Sequence, residues 1–224
     1  MVPDKSLLIA FVSNNAWSVY NFRIDVIRNM LASGHRVLVI CPTDPYVPLL
    51  EEAGCRHFEV AFDNRSLNAL ADLRLFRNLK KLYSGQRPDL IFHYVAKPNI
   101  YGSMAAGALK IPSIAVVTGL GYAFSKQNFI YHTVRRLYRH ALKKAMEVWF
   151  LNNEDARVFS SEKIVAIEKI KVLPGEGVNT AFFSPPPAAT RTQHEFRFLM
   201  ACRLLKSKGV SVFADACRLL RTNQ

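Results

Sequence analysis

Short apolar runs alternate with longer amphipathic segments through the first two thirds of the sequence. The runs are rich in Val, Ile, Leu and Phe, as buried strands require, and turn residues bound most of them. The amphipathic segments carry apolar residues three and four positions apart, which is the spacing of one helix face. Strands are predicted at 6–12, 36–41, 57–62, 89–95, 114–117 and 148–151, and helices at 18–32, 46–53, 68–83, 99–109 and 129–146. This order predicts an α/β fold with a Rossmann-like, doubly wound parallel sheet.

The pattern changes after Lys171. Residues 172–179 are rich in turn formers, and residues 184–190 contain three consecutive prolines, which is typical of a linker. A further strand at 196–202 and a helix at 210–220 follow. One βα unit cannot bury its own apolar face, so it either packs on the first domain or begins a longer one. The predicted domains are 1–182, a Pro-rich linker at 183–195, and the start of a second Rossmann-like domain at 196–224.

Charge and cysteine content limit the function classes. Lys and Arg outnumber Asp and Glu by 30 to 17, and the net charge of +13 attracts phosphates on nucleic acid, lipid head groups or small molecules. No apolar run approaches the length of a membrane-spanning helix or a signal peptide. The four cysteines lack CxxC spacing, which favours buried thiols in a reducing compartment. We therefore expect a cytosolic protein that can touch a membrane from that side.

The positive charge is concentrated in one block. Between Leu90 and Met146 there is no Asp or Glu, and eight of the basic residues lie there. They are Lys97, Lys110, Lys126, Arg135, Arg136, Arg139, Lys143 and Lys144. The block also contains loops that follow two predicted strands. It therefore predicts an anionic partner that binds at a defined place.

The loops after the strands are the expected ligand sites, because parallel α/β sheets bind ligands outside the carboxyl ends of their strands. Pro98 favours a helix start, and Lys97 beside it is a suitable phosphate ligand. Gly119 and Gly121 allow close backbone approach to a ligand. His93 ends the fourth strand, where a general acid, a base or a partner for a sugar hydroxyl would lie. The structural alternatives are a surface lysine, a tight turn and a packed histidine.

Several common sites have no matching pattern. The first turn has no GxGxxG, which disfavours dehydrogenase and epimerase chemistry that depends on a dinucleotide. No HExxH motif or His/Cys cluster predicts a metal site, and no GxSxG motif predicts a nucleophile elbow. Nucleic-acid binding through the basic block lacks interleaved aromatics or a known motif.

The basic helix predicted at 129–146 has two faces. His132, Arg135, Arg136, Arg139 and Lys143 share one side at 3.6 residues per turn, and apolar residues occupy the other. The apolar face is expected to pack on the sheet. The basic face is either solvated or attracted to anionic lipid or pyrophosphate.

Several segments together resemble a known family. The matching pieces are 21–23 (Asn-Phe-Arg), 34–37 (Gly-His-Arg-Val), 97–102, 118–122, 174–179, and 198–205 with Lys208-Gly209. They resemble retaining nucleotide-sugar glycosyltransferases of the GT-B type, family 4. Within it, the sequence is most similar to bacterial enzymes that extend lipid-linked oligosaccharide, capsule or O-antigen, including bacillosaminyl-type enzymes.

The resemblance implies a two-domain enzyme with a cleft between an acceptor-binding N-terminal domain and a donor-binding C-terminal domain. It would transfer a hexose or N-acetylhexosamine from a UDP-linked sugar to a polyprenyl-diphosphate-linked saccharide, with no cofactor and no metal. Arg203 and Lys208 match the pair that holds the donor diphosphate. The acceptor side would use the strand-end residues, which are Asn15, His93, Lys97, Thr118 and Gly119. The basic helix would face the inner surface of the plasma membrane through Arg135, Arg136, Arg139 and Lys143.

One departure affects catalysis. In the family, two glutamates eight residues apart lie deep in the second domain, and this sequence ends before that position. The pairs with this spacing here, such as Glu168 and Glu176, lie in the wrong place. We therefore expect a fragment with little or no activity alone, in which His93 is the remaining catalytic candidate. The alternative is a non-catalytic α/β module that binds anionic membranes.

Overall fold

The computed structural model describes residues 5–62, 68–121, 124, 129–184 and 197–222. The chain divides into two compact units, Met1–Thr180 and Ala181–Gln224. All seven strands that the structure describes belong to the first unit.

The first unit is built on one parallel sheet with the strand order β3-β2-β1-β4-β5-β6-β7. The order reverses between β1 and β4, which is the switch point where open α/β sheets bind ligands. The strands are β1 (Leu8–Val12), β2 (Arg36–Cys41), β3 (Arg56–Glu59), β4 (Leu90–Tyr94), β5 (Ser113–Val117), β6 (Glu147–Phe150) and β7 (Ile170–Val172). The predicted α/β fold class is confirmed.

Helices cover both faces of the sheet. They are α1 (Ala16–Ala32), α2 (Val47–Glu52), α3 (Ala69–Gln86), α4 (Ser103–Ala108), α5 (Phe129–Leu142) and α6 (Asn153–Ser161), with a π-helical turn at Pro98–Gly102 that leads into α4. Strand residues alternate between two apolar layers: Phe11 packs with α1 and α2, whereas Val12 packs in the layer of α3 and α4. The layer of α3 and α4 continues under α5 and α6.

Local sequence explains several helix ends. Asn15, Asn68 and Asn152 each precede a helix, and each side-chain oxygen accepts a hydrogen bond from a backbone N–H of the first turn. Gly34 follows α1 with a φ of 83°, a left-handed conformation that glycine adopts without the steric cost of a Cβ.

The sequence prediction missed two elements of the first unit. Helix α6 and strand β7 lie between the sixth predicted strand and the turn-rich segment, where the sequence predicts no element. Strand β7 is only three residues long and α6 only nine, so neither has a strong periodic signal. The six predicted strands are therefore followed by a seventh, which extends the sheet at its edge.

In the second unit, the helix is present as α7 (Val210–Thr222) after a short 3-10 turn at Lys206–Lys208. The strand predicted at 196–202 is absent from residues 197–202. Among the described residues of this unit there is no second strand to take the backbone hydrogen bonds of the segment, and apolar sequence alone does not produce a strand.

Across the described parts of the chain, no helix combines the length and apolarity needed to cross a bilayer. Within the same ranges, no group of three or more His, Cys, Asp or Glu side chains could hold a metal ion.

Candidate functional site

A small pocket opens at the carboxyl ends of β1, β4 and β5, where the strand order reverses. Its volume is about 130 Å³. The strand ends contribute Ser13, Tyr94, Val95 and Thr118, helix α1 contributes Ser18, Val19, Phe22 and Arg23, and Glu176 comes from the segment after β7. The pocket therefore brings together residues that are far apart in the chain.

The end of β4 has an unusual backbone. Val95 has a φ of 64°, in the left-handed region that a β-branched residue rarely adopts. Its carbonyl accepts a hydrogen bond from the Asn99 backbone N–H at 3.0 Å, at the start of the π-helical turn. Strained residues of this kind cluster at binding sites, because the surrounding structure holds them there. Val95 lines the pocket, which supports assigning a function to it.

Arg23 is the central charged group of the pocket. Its guanidinium donates to the Glu176 carboxylate, and its Cζ lies 4.4 Å from the centre of the Tyr94 ring. The side chains of Arg23 and Glu176 are only 12% and 20% exposed. Burial alone would lower the Arg23 pKa, but the interactions with Glu176 and Tyr94 together outweigh it, and the net pKa is raised. Burial also raises the Tyr94 pKa. The pocket thus holds a permanent cation over a neutral phenol.

Glu176 reaches Arg23 from a loop with left-handed glycines on both sides. Gly175 and Gly177 have φ values of 107° and 76°, and no described atom lies within 4 Å of where a Cβ would be on either. Farther along, the Asn179 side-chain amide donates to Asp25 at 3.1 Å. The segment before the end of the first unit is therefore attached to α1 by polar contacts.

The N-terminus of α1 already has an anion. The Asp44 carboxylate accepts from the backbone N–H groups of Ala16 at 2.8 Å and Trp17 at 3.0 Å. Asn15, predicted as an acceptor ligand, caps the same helix: its side-chain oxygen accepts a hydrogen bond from the Ser18 backbone N–H at 2.7 Å. In many related folds this turn binds a phosphate, but here side chains from the protein fill it.

His93, predicted as an acceptor ligand and possible catalyst, faces away from the pocket. Its ring has no exposed surface and lies between α3 and α4. Nε2 is 3.0 Å from the Tyr83 hydroxyl and Nδ1 is 3.3 Å from the Ser103 hydroxyl. Burial lowers the His93 pKa to about 3, so the ring is neutral near pH 7. The geometry gives this histidine a structural role and no surface for a substrate.

Lys97, predicted as a phosphate ligand, is held by an acid. Its Nζ lies 2.6 Å from the Asp72 carboxylate of α3, and both side chains are 13% exposed. The Tyr101 hydroxyl donates to the other oxygen of Asp72 at 2.7 Å. Asp72 lies outside the acid-free block, so the block is not electrostatically isolated in the folded chain.

Thr118 and Gly119 are both exposed. Thr118 lines the pocket beside the end of β5. Gly119 has a φ of 152°, and no described atom lies within 4 Å of where its Cβ would be. Of the predicted acceptor residues, Thr118 alone is among those that line this pocket.

The cations of the basic helix α5 fall into two groups, one that binds α6 and one that is exposed. Arg135 lies 3.1 Å from the Glu162 carboxylate, and Arg139 donates to the backbone carbonyls of Glu162 and Lys163 at 2.6 and 2.8 Å. Both arginines thus bind the C-terminal end of α6, where cations stabilise a helix. Arg136 and Lys143 are exposed. The prediction of four cations on one membrane-facing side therefore needs correction.

Arg203 and Lys208, predicted to hold the donor diphosphate, belong to the second unit. Both are exposed, and Lys208 ends the 3-10 turn before α7. Their role stays a prediction.

Comparison with known protein families gives a match that covers most of the residues lining the pocket. Residues 8–152 match the family described as Glycosyl transferase 4-like. The chain belongs to this family. The matched range contains Ser13, Arg23, Tyr94 and Thr118, but not Glu176.

A curated relative is 30% identical over 95% of this chain. It is the N,N'-diacetylbacillosaminyl-diphospho-undecaprenol alpha-1,3-N-acetylgalactosaminyltransferase of Campylobacter jejuni. The chain spans 60% of that relative's length.

Solved structures agree on the fold. A glycosyltransferase from Rickettsia africae matches with a TM-score of 0.61 at 17% identity, over 83% of this chain and 47% of that one. Anabaena HepE in complex with UDP and glucose matches with a TM-score of 0.58 at 17% identity, over 81% and 47%. A UDP-GlcNAc 2-epimerase from Neisseria meningitidis matches with a TM-score of 0.54 at 14% identity, over 74% and 46%. Glycosyltransferases and epimerases thus share this fold, and the fold alone does not choose between them.

Sequence reasoning missed the pair at the centre of the pocket. Arg23 and Glu176 both lie in segments that carry the family resemblance, yet the sequence alone predicts no role for either. They are 153 positions apart, and no periodicity connects residues at that distance. Their opposite charges in two family-like segments were the available signal.

Proposed function

We propose that this chain forms the acceptor-binding part of a retaining glycosyltransferase. The enzyme moves a hexose or N-acetylhexosamine from a UDP-linked sugar to a polyprenyl-diphosphate-linked saccharide. The observation that carries this proposal is the 30% identity, over 95% of the chain, to the Campylobacter transferase whose named substrate is a diphospho-undecaprenol saccharide.

The pocket supports the acceptor role. It lies at the switch point of the sheet and offers hydroxyls from Ser13, Ser18 and Thr118, which suit sugar hydroxyls. The Tyr94 and Phe22 rings add apolar surface for a sugar ring, and Arg23 adds a charge for a phosphate oxygen.

On the donor side, we assign Arg203 and Lys208 to the diphosphate of the nucleotide-sugar. Two cations beside a pyrophosphate stabilise charge on the departing nucleoside diphosphate and require no metal or other cofactor. This assignment rests on the family resemblance of the 198–209 segment.

A binding assay with the 224-residue chain tests the acceptor role. We expect a polyprenyl-diphosphate-linked N-acetylhexosamine in detergent to bind, and Thr118→Val to weaken the binding several-fold because a sugar hydroxyl loses its partner. The matched control is Thr133→Val, since Thr133 is exposed on α5. Absence of acceptor binding, or conversion of UDP-GlcNAc to its 2-epimer, contradicts the proposal. Transfer is measured with UDP-GalNAc and UDP-GlcNAc, and the anomeric configuration of any product tests retention.

A second role, binding to an anionic membrane surface, is favoured by the outer side of α5. Phe129 is 84% exposed, Met146 just beyond the helix is 50% exposed, and the cations between them include Arg136 and Lys143. Cations with exposed apolar side chains suit the head-group region of an anionic bilayer. We place this surface against the cytoplasmic face of the plasma membrane, where a lipid-linked acceptor would be reached.

Flotation with vesicles of phosphatidylglycerol and phosphatidylcholine tests the membrane role. The double variant Arg136→Glu/Lys143→Glu should lose flotation at low salt. Arg74→Glu/Arg77→Glu, with the same charge change on exposed residues of α3, should retain it. Equal loss in both variants indicates that net charge, and not this helix, is responsible.

A further inference from the structure

We propose that Arg23 is the centre of a binding site for a phosphate or diphosphate group, and that Glu176 fills this site when the group is absent. The inference rests on the proposed function and deepens it, because it assigns the acceptor's diphosphate to this pocket. It also names a residue, Glu176, that must move when the acceptor binds.

Arg23 has the properties of an incompletely satisfied anion ligand. Its side chain is 12% exposed, and a guanidinium this buried needs a charged partner. Glu176 pairs with Nη2 through Oε1, whereas Nη1 is buried and has no hydrogen-bond partner among the residues that the structure describes. A guanidinium presents its donors as a planar fork that suits two oxygens of one phosphate. A phosphate can therefore satisfy both nitrogens where Glu176 satisfies one.

Polar contacts hold Glu176 in the pocket, and a ligand that replaces them can displace it. Its neighbours Gly175 and Gly177 contact no described side chain at their Cβ positions, and glycine tolerates large backbone changes. Glu176 belongs to none of the three apolar core clusters, and 20% of its side-chain surface is exposed. A diphosphate also carries more negative charge than one carboxylate, which favours the exchange at a fixed cation.

The surrounding pocket supplies further donors. The Ser13 and Ser18 hydroxyls are 3.0 Å apart and line the same pocket as Arg23, and the exposed Thr118 lines its other side. The Tyr94 ring under the guanidinium keeps Arg23 in place after Glu176 leaves. The site therefore remains assembled during the exchange.

Titration calorimetry of the 224-residue chain with inorganic pyrophosphate at constant ionic strength tests the inference. Glu176→Gln removes the competing carboxylate, so we expect pyrophosphate to bind about tenfold more tightly or better than to the native chain. The matched control is Glu162→Gln, which removes the carboxylate of the Arg135–Glu162 pair with the same change in net charge. It should leave the affinity at the native value.

A second pair of variants tests the arginine. Arg23→Gln should abolish pyrophosphate binding, whereas Arg28→Gln, on an exposed position of the same helix, should not change it. If Arg23→Gln does not fold, the Glu176→Gln result decides alone. Equal gains in Glu176→Gln and Glu162→Gln, or equal losses in the two arginine variants, overturn the site and indicate general attraction to a basic protein. Acetate binding as tightly as pyrophosphate overturns the assignment to phosphate.

Two further arms separate this inference from the proposed function. Pyrophosphate competition against a polyprenyl-diphosphate-linked N-acetylhexosamine supports one shared subsite, and simultaneous binding of both overturns it. Acceptor binding that is unchanged in Arg23→Gln leaves the proposed function intact while removing Arg23 from it. Tight pyrophosphate binding without any acceptor binding supports the anion site but contradicts the acceptor role.

Discussion

Strand β4 ends in two adjacent residues, His93 and Tyr94, that face opposite sides of the sheet. They differ in their surroundings and in their access to the pocket. His93 is sealed between α3 and α4, where hydroxyls of Tyr83 and Ser103 meet its two nitrogens. Tyr94 lines an open pocket under Arg23 and beside a strained Val95. His93, which has the more versatile side chain, is thus structural, whereas its less reactive neighbour Tyr94 belongs to the site. The face of a strand decides the role, and the residue type does not.

The pH dependence of stability gives the largest expected effect on the sealed side. A histidine in the unfolded chain titrates near pH 6.5, and burial lowers the folded pKa of His93 to about 3. Between these values the unfolded state binds a proton that the folded state excludes. The stabilisation is therefore complete above about pH 6.5 and is lost as the pH falls, by about 1.4 kcal/mol per pH unit.

Urea unfolding between pH 7 and pH 4.5 measures this loss. The variant His93→Gln should have a flatter slope, because it takes up no proton on unfolding, whereas His140→Gln, on an exposed position, should keep the native slope. A native slope in His93→Gln contradicts the assigned neutral state.

Packing at Gly102 gives the next largest effect. A Cβ there would lie 2.4 Å from Cδ2 and 2.5 Å from Nε2 of His93. Gly102→Ala should therefore destabilise the fold by about 1–3 kcal/mol despite the better helix propensity of alanine. Gly85→Ala in α3 is the matched control, because no described atom lies within 4 Å of its Cβ position. Gly85→Ala should stabilise the fold by about 0.5–1 kcal/mol. Urea unfolding measures both variants, and an equal change in their free energies of unfolding would mean that His93 is not tightly enclosed.

The same comparison explains what the sequence could and could not predict. Periodicity identified six strands and the helices between them because each signal is local. It also placed His93 and Thr118 at strand ends. It could not tell which face of β4 is covered by α3 and α4, because that depends on helices elsewhere in the chain.

The sequence predicts the partners of charged side chains even less well than it predicts which face of a strand is covered. The acid-free block suggested free cations, yet Asp72 from α3 pairs with Lys97, and Glu162 after α6 pairs with Arg135. Both acids come from outside the block. A charge count along the sequence therefore overestimates how much of a basic segment is free to bind a ligand.

On the open side, the Arg23–Glu176 pair should have a moderate effect on stability. Glu176→Gln leaves a largely buried guanidinium without a counter-charge, which we expect to cost about 1–3 kcal/mol. Because the lost interaction is with an anion, pyrophosphate should recover stability in this variant by binding the folded state. Thermal unfolding with and without pyrophosphate measures both effects. Loss of stability that pyrophosphate does not recover would make the pair a fixed structural contact, like the contacts of His93 with Tyr83 and Ser103.

The smallest effect is expected at the Arg135–Glu162 pair. Its side chains are 28% and 30% exposed, so water screens the charges, and Glu162→Gln should cost less than about 1 kcal/mol. The backbone carbonyls of Glu162 and Lys163 continue to hold Arg139, which keeps α5 and α6 together without the carboxylate. Thermal unfolding in parallel with Glu176→Gln gives the comparison directly. If Glu162→Gln were as destabilising as Glu176→Gln, the effect at Glu176 would reflect loss of any arginine–glutamate pair in this basic chain. A clearly larger destabilisation in Glu176→Gln than in Glu162→Gln would show that the effect depends on the buried guanidinium of Arg23.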